Sequence, residues 1–184
     1  MHSDIFLRLA ETVTPNQGVP ARRLVEFKLQ NRREGNPRFW AIVDFNQHSA
    51  NKRLYVFDTQ EEEVTQYYVA HGKGSDPDHN GIADIFSNVD DSHCSSLGIY
   101  RCSEPYEGEH ELSLRLDGLE STNSQARDRT IVLHTAWYVS DDFIRENKKL
   151  GRSWGCFVVQ EPVRNTLIDQ LKDGSFLIAW KSEN

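Results

Sequence analysis

Apolar residues recur at helical spacing through the first part of the chain, and the texture then changes to that of strands. Ser3 is placed to cap a short helix in which Ile5, Phe6, Leu9 and Val13 fall on one face. Residues 20–33 read as a second helix, opened by Pro20, carrying Leu24, Val25, Phe27 and Leu29, and stopped by Gly35, Asn36 and Pro37. Beyond it, 39–45, 53–57 and 64–70 are rich in Val, Ile, Tyr and Phe with short polar breaks, as strands are. Segments 97–102, 111–116, 130–134, 156–159 and 175–180 read the same way. Two helices interrupt this later half. Ser140 caps the segment 141–150, which has acidic residues first, Lys148 and Lys149 last and Gly151 as its stop. Pro162 opens another, with Val163, Leu167, Ile168 and Leu171 on one face and Gly174 at its end. Many short strands and few helices predict a mainly β fold, a sandwich or barrel of mixed sheets behind a helical N-terminal arm.

Composition narrows this little. The 184 residues suit one domain, and a globule of that size buries roughly 70% of its unfolded surface without a staple. Lys and Arg number 21 against 28 Asp and Glu, so the net charge is −7. That balance argues against a general nucleic-acid binder, because phosphate neutralisation needs a basic face. No apolar run is long enough to cross a bilayer. The first eleven residues carry charges inside their apolar run and do not read as a signal peptide, so the chain is expected to be either cytoplasmic or a mature form.

Three cysteines, Cys94, Cys102 and Cys156, leave one over. Cys94 and Cys102 stand eight positions apart and are either a disulfide or two small buried hydrophobes. Cys156 is different. Gly155 before it permits a sharp turn and close approach of a ligand to the backbone. The N–H groups of Gly155 and Cys156 can converge on one spot, as an oxyanion hole requires. Arg152 and Ser153 are polar where a buried structural thiol would not need them. His134 ends the apolar run that starts at Thr130 and shares a strand face with Val132 and Ala136. It precedes Cys156 by 22 positions, filled by the helix after Ser140; strand, crossover helix and returning strand can bring imidazole and thiol together. An imidazole so placed can take the thiol proton and later give one to a leaving amine. Against this, a lone His among apolar neighbours is commonly a satisfied core residue, and a Gly-Cys pair can simply start a buried strand.

One loop resembles a metal site. Residues 76–84 read Asp-x-Asp-x-Asn-Gly-x-x-Asp, close to a calcium loop with Gly81 at its sixth position. Position twelve is Ser87 rather than Glu, Pro77 is out of place and a strand precedes, so metal binding is not expected. Nor do His79, His93 and Cys94 have the paired second half that zinc requires.

His134 followed by Ser153-x-Gly155-Cys156 resembles the signature of the L,D-transpeptidases, the YkuD-like domain, in its murein L,D-transpeptidase catalytic domain branch. The resemblance extends to Tyr68-Val69-Ala70-His71-Gly72, Ser95-Ser96-Leu97-Gly98-Ile99-Tyr100, 113–120, Asn123 and Ala126-Arg127-x-Arg129. It runs from about Phe39 to Trp180 and so divides the chain into a helical arm, 1–38, packed on a catalytic domain, 39–184. It implies a β-sandwich enzyme, without cofactor, that acts on peptidoglycan stem peptides. Cys156 would attack a stem tetrapeptide and expel D-Ala, His134 would be acid/base, and the Thr135 backbone would orient its ring. Gly155 and the Trp154 backbone would form the oxyanion hole beside Ser153, and the thioester would pass to a free amine or an acceptor protein. Carbapenem acylation follows from the same resemblance. The signature's His before Gly-Cys is here Trp154, and its Arg two places after the Cys is Val158, so Arg115 or Arg152, with Tyr100, is expected at the substrate. The alternatives are an L,D-carboxypeptidase or hydrolase on the same scaffold, or a non-catalytic wall-binding module with Cys156 in a disulfide. The resemblance also implies export to the periplasm or cell surface with the leader removed; a secreted wall-modifying effector fits as well.

Overall fold

The computed structural model describes residues 1–13, 15–31, 35–36 and 38–182. Two helices, α1 (His2–Val13) and α2 (Gly18–Asn31), precede the strands β1 (Phe39–Asp44), β2 (Leu54–Asp58), β3 (Glu63–Tyr67), β4 (Gly98–Gly108), β5 (Glu111–Gly118) and β6 (Val132–Thr135). Helix α3 (Asp141–Asn147), β7 (Phe157–Val159), α4 (Arg164–Leu171) and β8 (Phe176–Trp180) complete the order. All eight strands join one mixed sheet in the order β3-β2-β1-β8-β4-β5-β6-β7.

The mainly β expectation holds, and the two faces of the sheet divide the labour. On one face Val43, Leu54, Tyr100, Leu116, Leu133, Phe157 and Leu177 meet Leu167 and Leu171 of α4 in the principal core. The sheet curls far enough that Phe45 beside β1 stacks on Phe157 of β7, ring centroids 6.1 Å apart, although their strands lie at distant places in the sheet. On the other face Trp40, Ile42, Tyr55, Phe57, Ile99 and Ile178 are covered by Phe6 and Ala10 of α1 and Ala21 and Leu24 of α2. Phe6 lies flat on Trp40, 4.6 Å between centroids. The arm thus covers this second face over β1, β2 and β8, while beside β7 Ala70, Val139 and Leu150 pack on Val158 instead.

Several predicted boundaries move for local reasons. Ser3 is not a cap: it lies inside α1, whose first turn closes from Ile5 N–H to Met1 C=O at 3.2 Å. Helix α2 starts at Gly18, with Pro20 in its first turn, where a missing N–H costs nothing. The predicted residues 32–33 of that helix and Pro37 of its stop lie outside the described residues. Strand β3 ends at Tyr67 rather than 70; Ala70 leaves it and bonds Val158 C=O from its N–H, 2.8 Å. Ser140 does cap α3, accepting from Phe143 N–H at 3.2 Å. The helix closes on Lys148 in a left-handed conformation, φ 64°, so Gly151 is not its stop. Gly151 lies against Tyr138 instead, where an added Cβ would stand 2.5 Å from the Tyr138 Cβ.

Strand β6, helix α3 and strand β7 form the anticipated crossover: β6 and β7 are parallel neighbours, with Leu133 opposite Phe157 and His134 opposite Val158. The loop after β3 is locked beside them by a buried polar chain. Arg53, fully buried, donates through Nε and Nη2 to Val69 C=O, through Nη1 to Gln47 C=O and through Nη2 to His71 Nδ1 at 2.7 Å. His71 Nε2 then lies 3.2 Å from Asp76 Oδ2, to which it donates. Burial, then the Arg53 charge, holds His71 neutral with its pKa down at about 2, which matches this one-acceptor, one-donor use of the ring. Burial also pulls Arg53 down to about 9.

That chain also organises the loop that resembles a calcium site. Asp76 accepts from the N–H groups of Asn80 and Gly81, each at 2.9 Å, as well as from His71, and the Asn80 carbonyl oxygen of the side chain accepts from Ile82 N–H. Asp84 pairs with Lys181. These bonds fold the loop.

Candidate active site

Strand alternation decides what the second face presents beyond the arm. Because Leu133 and Phe157 point into the core, Val132, His134 and Val158 point the other way, and Cys156, one residue ahead of β7, follows them. On the adjacent strand Arg115 pairs with Val132 and joins the same face. His134 and Cys156 are therefore brought to one side of two neighbouring strands, with Arg115 in the row that contains Val132 and Cys156.

The turn before β7 is built by its own side chain. Ser153 Oγ accepts from Gly155 N–H at 3.1 Å and donates to Cys156 C=O at 2.7 Å. Its backbone is pinned on both sides, N–H to His71 C=O at 2.9 Å and C=O from Lys73 N–H at 2.7 Å. The Arg53–His71–Asp76 chain is thus one step from the turn that carries Cys156. Gly155 adopts φ 119°, and an added Cβ would stand 2.7 Å from Cys94 C=O and 2.8 Å from Ile131 Cδ1. A side chain there must displace backbone. Gly155→Ala is expected to keep the fold while losing activity by about 10²-fold, because a shift of about 1 Å at the nucleophile costs that much. Turnover beside circular dichroism checks it.

With its N–H spent on Ser153, Gly155 does not supply the oxyanion-hole amide assigned to it. Its part is the turn. The hydrogen bonds of the turn engage neither the Trp154 nor the Cys156 amide, which leaves these two as candidate donors. The Trp154 side chain is 74% exposed and stacks on His93 at 5.0 Å.

His134 is 3% exposed and its Nδ1 lies 2.9 Å from Thr135 C=O. A carbonyl only accepts, so Nδ1 carries the proton and the neutral ring keeps its lone pair on Nε2. Burial, against the help of that carbonyl, pulls the imidazole down to about 4, so it is a neutral base at pH 7. Cys156 is half-buried and free, as are Cys94 and Cys102, which are both buried and unpaired with each other. Its Sγ points at Thr130 C=O, 3.4 Å away. Burial raises the thiol pKa, opposed by the Val132 amide and by the positive charge of Arg129. Burial thus favours the neutral form of both thiol and imidazole.

Three expected substrate contacts do not survive equally. Tyr100 is fully buried on the core face, its hydroxyl held at 2.6 Å by Ser96 Oγ, and it does not reach the site. In a strand covered on both faces, neighbouring apolar residues give no sign of which side each takes, and Ile99 takes the outer one. Arg152 turns away to the carbonyls of Asp76 and Pro77 and straps that loop. Arg115 stays on the site's face, paired with Glu104 at 3.3 Å and lying over the Tyr106 ring at 4.1 Å. Residues without an assigned role come forward instead. Arg129 binds the carbonyls of Ser87 and Cys94, at 2.8 and 2.7 Å, beside Gly155. Tyr138 lies with Cys156 in the small apolar cluster on this face. His110, in the β4–β5 turn, stacks on His134.

A search of curated proteins gives no match. Solved structures that resemble the fold include an L,D-transpeptidase from Mycobacterium smegmatis (10% identity, 78% of this chain and 59% of that one, TM-score 0.46). Others are L,D-transpeptidase 1 of Mycobacterium tuberculosis (11%, 78% and 62%, 0.44) and the L,D-transpeptidase of Xylanimonas cellulosilytica (12%, 84% and 68%, 0.44). The chain spans about three fifths of the length of the two mycobacterial proteins. The model of the L,D-transpeptidase catalytic domain matches residues 17–180, from before α2 through the last strand and across both His134 and Cys156, and the chain belongs to that family.

Proposed function

We propose that this chain is a peptidoglycan L,D-transpeptidase working through a Cys156 thioester on stem tetrapeptides. The observation that carries the reading is the parallel β6–β7 register, which turns His134 and Cys156 to one face while Thr135 C=O fixes the tautomer of His134. As the sulfur bonds to the carbonyl carbon, the thiol proton passes to His134 Nε2. The oxyanion that forms is met by the amides of Trp154 and Cys156. Collapse breaks the bond to D-Ala, whose nitrogen takes the proton back from His134. An acceptor amine then attacks the thioester, loses its proton to His134 and releases the thiolate, which His134 reprotonates.

Arg115 is the cation on this face suited to a stem-peptide carboxylate, a point charge that outweighs the −7 average locally. Among the described residues no helix is long and apolar enough to cross a membrane. An exported form acting at the periplasm or cell surface follows from the substrate. Purified tetrapeptide muropeptides should yield D-Ala and 3-3 cross-linked dimers by mass spectrometry. Tripeptides alone would make the enzyme an L,D-carboxypeptidase, and no release of D-Ala would refute the reading.

A further inference from the structure

We propose that His110 is a positioning residue for His134, a second ring that fixes the plane of the first from the tip of the β4–β5 hairpin. The proposal rests on His134 as the acid/base of the reading above. Strands β4 and β5 pair from Tyr100 opposite Gly118 to Gly108 opposite Glu111, so Glu109 and His110 alone make the turn. From there the exposed His110 ring lies over the buried His134 ring, centroids 4.1 Å apart and planes within 12°. A hydrogen bond from Nδ1 to Thr135 C=O restrains His134 at one atom and in the ring plane, but leaves it free to hinge about that bond. A stacked ring resists this hinging motion. The two restraints together aim Nε2.

The hairpin is itself held, as a positioning device must be. Glu111, whose φ is 60°, ion-pairs with Arg164 at the start of α4, and Ser113 Oγ donates to Glu111 C=O at 3.1 Å. Arg115 lies across Tyr106 and pairs with Glu104, tying the two strands together. His110 also excludes water from one face of His134, and a proton on His110 opposes one on His134. The titratable and charged groups on the elements packed around His134 are His110, Glu109 and Glu111 in the hairpin and Arg115 on β5. Among the described residues Cys156 ahead of β7, Tyr138 after β6 and Tyr68, packed beside Val158, are on this face as well.

The test reads His134 itself as well as turnover. Imidazole C–H resonances, with His134→Gln assigning the signal, should titrate for His134 near about 4 in the wild type. His110→Ala opens one face to water, so the His134 midpoint should rise by about one pH unit or more toward the ordinary 6.5. In that variant kcat should fall about tenfold or more with KM little changed. His110→Phe, a planar ring without charge, should restore both the low midpoint and kcat. An unchanged midpoint in His110→Ala would overturn the proposal, as would a Phe variant that behaves like the Ala variant. Absence of muropeptide turnover in the wild type would refute the transpeptidase reading instead, while the midpoints would still decide the stack.

Discussion

Cys156→Ala is expected to reduce D-Ala release from tetrapeptide muropeptides by about 10⁴-fold or more, to the level of the uncatalysed background. In the proposed mechanism the whole covalent route runs through this sulfur. Cys94 cannot replace it, being buried with its Sγ against Ser92 C=O, and neither can Cys102, whose thiol burial pushes to about 12. The variant should fold as the wild type does. Cys156 is only half-buried, and the turn around it is held by Ser153 and by the absence of a Cβ at Gly155, neither of which the substitution touches. A thermal midpoint within a few degrees of wild type, measured beside the lost turnover, would assign the defect to chemistry.

His134→Gln is expected to lower kcat by about 10²–10⁴-fold, roughly 3–5 kcal/mol of transition-state stabilisation, with the smaller part of the change in KM. A glutamine amide keeps a polar group of similar reach in the buried site, while the lone pair on Nε2 is lost. Since burial has raised the thiol pKa, no thiolate is waiting to compensate. The sign of the pH dependence follows. His134 is a competent base only when unprotonated, so kcat/KM should rise with pH through an acid limb near about 4, far below the limb of an ordinary histidine. In His134→Gln that limb should vanish.

The crossover that makes the pair was legible because it is local in pattern: an apolar run ending in His134, a capped helix after Ser140 and an apolar run after Cys156. Strand alternation then fixes which face each residue takes. The arm was legible for the same reason, its apolar stripe being a promise of something to cover. What failed were assignments that depend on contacts across the fold. Tyr100 and Ile99 are equally apolar in sequence, and only the finished sheet sends the tyrosine to the core. Arg152 looked free until the 76–77 carbonyls folded against it. Gly155 had the right conformation for an oxyanion hole, but its N–H is taken by a serine two residues away. His110 lies in a stretch that resembles the family, but its role could not be assigned from sequence, since a hairpin turn 24 positions before His134 meets it only in three dimensions.

The acyl-enzyme tests the account most directly. Wild-type protein mixed with a tetrapeptide muropeptide, quenched in acid and digested, should carry the muropeptide acyl group, less D-Ala, on the peptide containing Cys156. The adduct should be absent from Cys156→Ala. Release of D-Ala with Cys156 unmodified, or undiminished by its removal, would contradict the thioester mechanism.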